Sequence, residues 1–289
     1  MSAWTLGVIG GSGLYEIDGL ENVREERIET PWGDPSDALI RGEIGGVSLV
    51  FLPRHGRGHP LPPSGVNYRA NIDALKRAGV TDILSISACG SLKEELPPGA
   101  FLLVDQFVDR TINREKSFFG PGCVGHVSVS DPVCARLSGF AAAAARKAGA
   151  DVTEGGTYLA MEGPQFSTRA ESRLHKSWGC SVVGMTNMPE AKLAREAELP
   201  YASLCMVTDY DCWRDGDDLD VSEILAILKA NADKAKSTIR HLAESLPETR
   251  EASPQGIERA LDFAILTAAE ARDPALVAKL DAVAGRVLG

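Results

Sequence analysis

The chain has 289 residues, enough for one large domain or two small ones and enough to bury a core without disulfide or metal staples. Lys plus Arg is 30 and Asp plus Glu is 40, a formal net charge of -10 that repels nucleic acid and anionic lipid, and no run of Lys or Arg offsets it. Residues 1–11 hold no basic segment ahead of a long apolar stretch, and no run approaches the roughly 18 apolar residues of a membrane span, so neither a secretory leader nor a membrane segment is expected. Six scattered cysteines (Cys89, Cys123, Cys134, Cys180, Cys205, Cys212) form no C-x-x-C pair. They fit reduced thiols in the cytoplasm better than a disulfide framework or a zinc ribbon.

In chain order, residues 5–9 (TLGVI) read as a buried strand that feeds the glycine loop Gly10-Gly11-Ser12-Gly13. Residues 47–52 (VSLVFL) are a second strand, stopped by Pro53 and followed by the polar loop Arg54 to Pro60. Residues 68–78 are helical, with Ile72, Leu75 and Ala78 on one face. Residues 81–88 (TDILSISA) are a third strand, and residues 100–104 a fourth. An alanine-rich helix spans residues 135–148. Strands over 156–161, 180–185 and 202–207 alternate with helices over 167–178 and 189–197. That alternation predicts α/β architecture: a single domain on a mixed, largely parallel sheet flanked by helices. Residues 222–243 form an amphipathic helix. Residues 247–256 read as a polar linker and residues 257–288 as helical, interrupted at Pro274. Residues 1–246 are therefore expected to be the main domain and residues 247–289 a helical C-terminal extension.

Ligands of open α/β sheets sit at the carboxyl ends of the strands, and four such ends here are polar or glycine-rich. The glycines of the first let backbone N–H groups approach an anion, with the Ser12 hydroxyl as a further donor; a plain turn fits equally. A dinucleotide fingerprint fails because Glu16 takes the place of the third small residue, and a nucleophile elbow fails because Leu14 ends the motif. At the second end, Arg54 offers a planar fork for phosphate or carboxylate and His55 a second donor. The third end, Ser87 to Ser91, offers backbone N–H groups and small hydroxyls, and its Cys89 reads as a core thiol before a nucleophile. The fourth carries Asp209 and Asp211, which share one side if the chain is still extended there. Such a pair binds a metal, divides acid and base roles, or hydrogen-bonds a heterocycle. No His or Glu flanks them, and the helix from Ser222 is too far away for them to cap.

The stretches VIGGSGLYEI (residues 8–17), TPWGDPSD (30–37), PRHGRGH (53–59), NYRANI (67–72), SACGSLKEE (87–95), MEGPQFSTRAES (161–172), GMTNMPEAKLAREA (184–197) and TDYDCW (208–213) occur in one order. In that order they resemble the trimeric nucleoside phosphorylase family, from about residue 8 to residue 243. The family cleaves the N-glycosidic bond of purine nucleosides with inorganic phosphate, with no cofactor and no metal. The resemblance implies phosphate contacts at Ser12, Arg54, His55, Ala88 and Thr186. It implies a base pocket of Phe166, Ser167, Asp209 and Asp211. Met185 would lie on the ribose, with His126 reaching into a neighbouring subunit's pocket and Val221, Ile224 and Leu225 around the 5′-substituent. The catalytic group would be Asp209 with His55 and Arg54. A carboxyl at position 209 suits a 6-aminopurine, because a 6-oxo base calls for an amide donor. Apolar residues near Ser222 suit a methylthio group at the 5′ position. The expected reaction is phosphorolysis of S-methyl-5′-thioadenosine to adenine and 5-methylthioribose 1-phosphate. The alternatives are 6-oxo purine nucleosides or methylthioinosine. The expected partners are a nucleoside and phosphate, in a cytoplasmic homotrimer with a homohexamer as the alternative.

Overall fold

A computed structural model describes residues 4–11, 14–214 and 221–289; for Val221 and Glu223 it describes the backbone only. The strands are β1 (Thr5–Gly10), β2 (Glu21–Glu26), β3 (Leu39–Ile44), β4 (Val47–Pro53), β5 (Asp82–Ser91), β6 (Phe101–Val104), β7 (Gln106–Asp109), β8 (Val152–Glu154), β9 (Thr157–Ala160), β10 (Val182–Gly184) and β11 (Tyr201–Asp209). The helices are α1 (Tyr68–Arg77), α2 (Ala135–Lys147), α3 (Arg169–Ser177), α4 (Asn187–Glu196), α5 (Val221–Ser245), α6 (Pro274–Lys279) and α7 (Asp281–Leu288).

All the strands join one sheet, ordered β2-β3-β4-β1-β5-β10-β9-β7, with β11 pairing β5 and β6, and β8 pairing β6. The pairs β1–β4, β1–β5, β5–β11, β6–β8, β7–β9 and β9–β10 are parallel. Four pairs are antiparallel: β2–β3, β3–β4, β5–β10 and β6–β11. The sheet is thus mixed and largely parallel, as the alternation predicts. Strands buried on both faces read as unbroken apolar runs, which is why β1, β4 and β11 stand out in the sequence. The exposed edge strand β2 (ENVREE) carries charges instead, a composition that discourages pairing with another chain and hides the strand from periodicity.

Local signals set the helix starts. The Asn67 side chain accepts from the Ala70 N–H to start α1, and Thr168 and Glu171 form a reciprocal capping box at α3. The C-terminal segment differs from its helical reading. Residues 257–273 hold only two short 3-10 turns, Ile257–Arg259 and Ala269–Ala271, and α-helix returns at Pro274. Its apolar side chains enter the main core: Ile257, Leu261, Leu280 and Val283 are buried there. Polar contacts, most of them part-buried, fasten it. The Trp4 indole donates to the Pro247 carbonyl at 2.7 Å, Arg250 pairs with Asp82 and Glu258, and Arg286 Nε meets Glu198 at 2.7 Å.

Candidate active site

Strands β4, β1, β5 and β11 are consecutive and mutually parallel, so Arg54, the Gly10 loop, Ala88 to Ser91 and Asp209 reach the same edge of the sheet. Registration supplies the cleft. The β1–β5 ladder ends with Ile9 opposite Ser85, while β5 continues to Ser91. The Ile86 carbonyl beyond that point takes a hydrogen bond from Arg54 Nη1 at 3.1 Å.

Arg54 is fully buried and fixed. Its Nε and Nη2 grip Glu190 at 2.7 and 3.0 Å, Nη2 also donates to Ser85 Oγ at 2.7 Å, and the Ile86 bond completes the set. Two bonds to Glu190, one to Ser85 and one to Ile86 occupy four of the five N–H donors of a guanidinium. The fork that the sequence reading aims at an anion therefore points under the sheet edge at a carboxylate. Glu190 in turn accepts from Ser85 Oγ at 2.7 Å and Tyr201 Oη at 2.8 Å. Glu190, in the PEAKLAREA stretch, was not among the sequence candidates. Its signal is a carboxylate in the first turn of a helix that starts at a polar strand end.

His55 is half-buried and stacks on His59, with centroids 4.2 Å apart and planes within 8°. Burial and the adjacent Arg54 charge push its imidazole down to about 4. It is neutral near pH 7, and its Nδ1 lies 2.9 Å from the Leu61 carbonyl. A carbonyl only accepts, so the proton sits on Nδ1 and Nε2 is left as an acceptor.

Ala88 is exposed at the end of β5, between buried neighbours. Thr186 is buried, and its backbone N–H donates to the Tyr158 hydroxyl at 3.3 Å. The next residue, Asn187, accepts from Ser87 Oγ at 2.7 Å and donates to Ser203 Oγ. These bonds bring the Met185–Thr186 turn to the end of β5. Met185 is half-buried, and its sulfur lies so close to Gly163 that a Cβ there would sit 2.5 Å from it.

Asp209 and Asp211 meet, but not by the extended-strand geometry that the sequence suggests. The β5–β11 register shifts between Val207 and Asp209, and Asp211 has φ of +50°. A turn brings the pair together instead: Asp209 Oδ2 accepts from the Asp211 N–H at 2.8 Å, and Oδ1 from Thr208 Oγ1 at 2.6 Å. Both acids press on Gly90, where a Cβ would lie 2.9 Å from Asp209 Oδ2 and 3.2 Å from Asp211 Cβ. Only glycine fits there. Burial raises the Asp209 carboxyl above its ordinary range. Burial also raises Asp211; the Ser172 hydroxyl opposes this and the Asp209 charge adds to it. Asp211 Oδ2 is buried with no hydrogen bond among the described residues. Cys89 is a buried thiol pushed up by desolvation, the core reading rather than the nucleophile.

Ser167 is buried, and its carbonyl accepts from the Cys212 thiol at 3.2 Å, which ties the wall before α3 to the acid turn. Phe166 beside it is 54% exposed. At the start of α5, Ile224 is half-buried and Leu225 exposed. Ser12 lies outside the described residues, as does the Val221 side chain. His126 is exposed, and its backbone N–H donates to the Ala264 carbonyl at 2.9 Å. Phe263 and Leu266, flanking that anchor, are 97% and 62% exposed. Among the described residues no group of three His, Cys, Asp or Glu side chains is arranged to hold a metal ion.

Residues 5–244 match the Phosphorylase superfamily, and the chain belongs to it. The similar proteins narrow the comparison. The S-methyl-5′-thioadenosine phosphorylase of Cereibacter sphaeroides is 62% identical over 284 residues, covering 98% of each chain. That of Bradyrhizobium diazoefficiens is 61% identical over 289 residues, covering 100% of this chain and 99% of its own. Among solved structures, a methylthioadenosine phosphorylase from an Antarctic soil metagenomic library superposes with a TM-score of 0.92 at 43% identity, covering 98% of this chain and 99% of its own. The methylthioadenosine phosphorylase of Schistosoma mansoni gives 0.76 at 39%, covering 83% and 90%.

Proposed function

We propose that the chain catalyses phosphorolysis of S-methyl-5′-thioadenosine, giving adenine and 5-methylthioribose 1-phosphate. The observation that carries this reading is the meeting, around the end of β5, of the Arg54–His55 corner, the Thr186 turn and the Asp209/Asp211 turn. Phosphate belongs with His55, the exposed backbone at Ala88, Thr186 and the Ser12 loop. Arg54 supports that corner from beneath, its charge balanced by Glu190. Neutral His55 accepts through Nε2 from a P–OH group.

A phosphate oxygen attacks C1′ as the C1′–N9 bond breaks. The transition state is oxocarbenium-like, and the anion stabilises it as it closes. The bond electrons pass to the purine, which takes a proton at N7. Asp209, raised by burial, supplies or shares that proton. The phosphate gives up one proton on forming the ester and the base gains one, so the balance closes without a cofactor. The carboxyls at 209 and 211 accept from the 6-amino group, which disfavours 6-oxo purines. Phe166 and Ser167 wall the base, Met185 lies on the pentose, and Val221, Ile224 and Leu225 surround the methylthio group.

Exposed apolar Phe263 and Leu266 beside exposed His126 support association into a homotrimer whose neighbour contributes His126; light scattering on the purified protein measures the state. Six free cysteines support a cytoplasmic setting, and among the described residues no helix is long and apolar enough to cross a membrane. The deciding experiment follows adenine release from methylthioadenosine with and without phosphate. Release is expected only with phosphate; equal release in its absence defeats the reading.

A further inference from the structure

We propose that Arg114 is a positioning residue that sets the spacing of the two loops between which the nucleoside lies, by binding their backbone carbonyls at once. This rests on the functional reading above. Arg114 belongs to no helix or strand, and its side chain is only 1% exposed. Its Nη1 donates to the Met185 and Met188 carbonyls, both at 2.7 Å, and to Tyr68 Oη at 3.1 Å. Its Nη2 donates to the Glu162 carbonyl at 2.8 Å and approaches that of Met161 at 3.4 Å. Its Nε donates to Ser64 Oγ at 3.2 Å.

The Met161, Glu162 and Met185 carbonyls lie just past the ends of the sheet, and that of Met188 opens α4. Parallel strands β9 and β10 end at Ala160 and Gly184. The Met161 N–H still donates to the Gly184 carbonyl at 2.8 Å, and beyond that the ladder stops and the two chains part. Part-buried carbonyls past the ladder need donors. A guanidinium carries five donors in one plane and can serve both loops together, whereas an ammonium concentrates three at one point. The Glu162 carboxylate, 3.9 Å from Nε, balances the charge and is held by Ser64 Oγ at 2.5 Å and the Ile112 N–H at 2.6 Å.

One loop leads into Phe166 and Ser167, and the other carries Met185 and Thr186. They interlock where the Met185 sulfur rests on Gly163. Without the guanidinium the carbonyls repel and the loops separate on the nucleoside side. The phosphate side has its own fasteners in Tyr158–Thr186, Ser87–Asn187 and Arg54–Glu190. Arg114 thus acts on one substrate more than the other.

The test is steady-state kinetics of the full chain, varying methylthioadenosine and phosphate separately, for wild type, Arg114→Ala and Arg114→Lys, with and without millimolar methylguanidinium. For Arg114→Ala the expected result is a nucleoside KM raised about tenfold or more and a phosphate KM changed less than about threefold. Methylguanidinium should restore kcat/KM saturably in Arg114→Ala and leave wild type unchanged. A folded Arg114→Ala protein with wild-type nucleoside KM, or a loss that methylguanidinium does not touch, overturns the proposal. If Arg114→Ala does not fold, Arg114→Lys decides: a rise confined to the nucleoside KM supports the proposal, and equal changes in both constants, or none, overturn it. A wild-type chain inactive with nucleoside and phosphate overturns the functional reading and this proposal together. An active wild type with unaffected variants overturns this one alone.

Discussion

Replacing Glu190 by glutamine isolates the buried ion pair under the phosphate corner. Arg54 and Glu190 are 2% and 1% exposed, so water screens neither charge. The glutamine has the same shape but one acceptor oxygen in place of two. Turned one way, its NH2 faces Arg54 Nε; turned the other, it faces Arg54 Nη2 with the Ser85 and Tyr201 hydroxyls. The hydroxyls can rotate to accept, but the guanidinium cannot. One donor of a buried cation is left against another donor, and the cation has lost its counter-charge. Breaking a buried pair in this way costs roughly 3–5 kcal/mol. That is a large part of the ~5–15 kcal/mol that holds a typical domain folded. At about 2 °C per kcal/mol for a chain of this size, the melting temperature should fall by about 6–10 °C.

Scanning calorimetry at fixed protein and phosphate concentration measures the change. The companion Arg54→Met/Glu190→Leu protein removes both charges and fills the space with apolar atoms, so it should regain most of the lost stability. A Glu190→Gln protein that melts within about 2 °C of wild type would show that the pair is not electrostatically isolated, and the account of Arg54 as a fixed support would go with it.

Two further predictions concern carboxyl groups. Asp209→Asn replaces an acceptor with an amide that can donate to a 6-oxo group; a mismatched buried hydrogen bond costs about 1–3 kcal/mol. The kcat/KM ratio of inosine to adenosine should therefore rise roughly tenfold or more, and an unchanged ratio refutes the assigned role. Glu196 is buried and pushed up to about 7; it accepts from Ser117 Oγ and the Phe118 N–H, both at 2.7 Å, with the Arg69 charge in reach. Its folded value lies above the ordinary one near about 4.3, so the protonated group adds stability in full at low pH, and that part is lost as pH rises through about 7. Glu196→Gln keeps both contacts without titrating: its oxygen accepts from Phe118 and its NH2 donates to Ser117. Melting temperatures from pH 5 to pH 8 should fall less steeply for this variant, and parallel curves refute the prediction.

Much of the fold is legible because strands buried on both faces leave continuous apolar runs. Strands β1, β4, β5 and β11, which carry the cleft, are of this kind. The strands that escaped the reading lack the signal for physical reasons. β2 is wholly charged or exposed, β3 (LIRGEI) has its apolar run broken by Arg41, Gly42 and Glu43, β7 is partly exposed, and β8 is three residues long. Residues 257–273 look helical because Ala and Leu have high helix propensity. Tertiary burial overrides that preference: Ile257, Leu261 and Ala264 enter the core from short turns rather than from one helical face.

The candidate site was legible in residue type and hidden in residue role. Arg54, His55, Asp209 and Asp211 announce themselves as polar groups at strand ends, but a sequence does not show which way a side chain leaves the sheet. Arg54 turns under the edge because the β1–β5 ladder stops at Ser85 and leaves the Ile86 carbonyl unpaired, while α4 presents Glu190 from the other side. Asp209 and Asp211 converge through a turn and a positive φ, not through the pleat of a strand. The same rule explains why Arg114 and Glu190 went unseen. Each meets its partners only once the strands have paired, so neither has a partner at any fixed sequence spacing. Arg114 reaches Met185 across 71 positions and Arg54 reaches Glu190 across 136. Where buried charge is concerned, the acceptors left over by the sheet decide which arginine goes where.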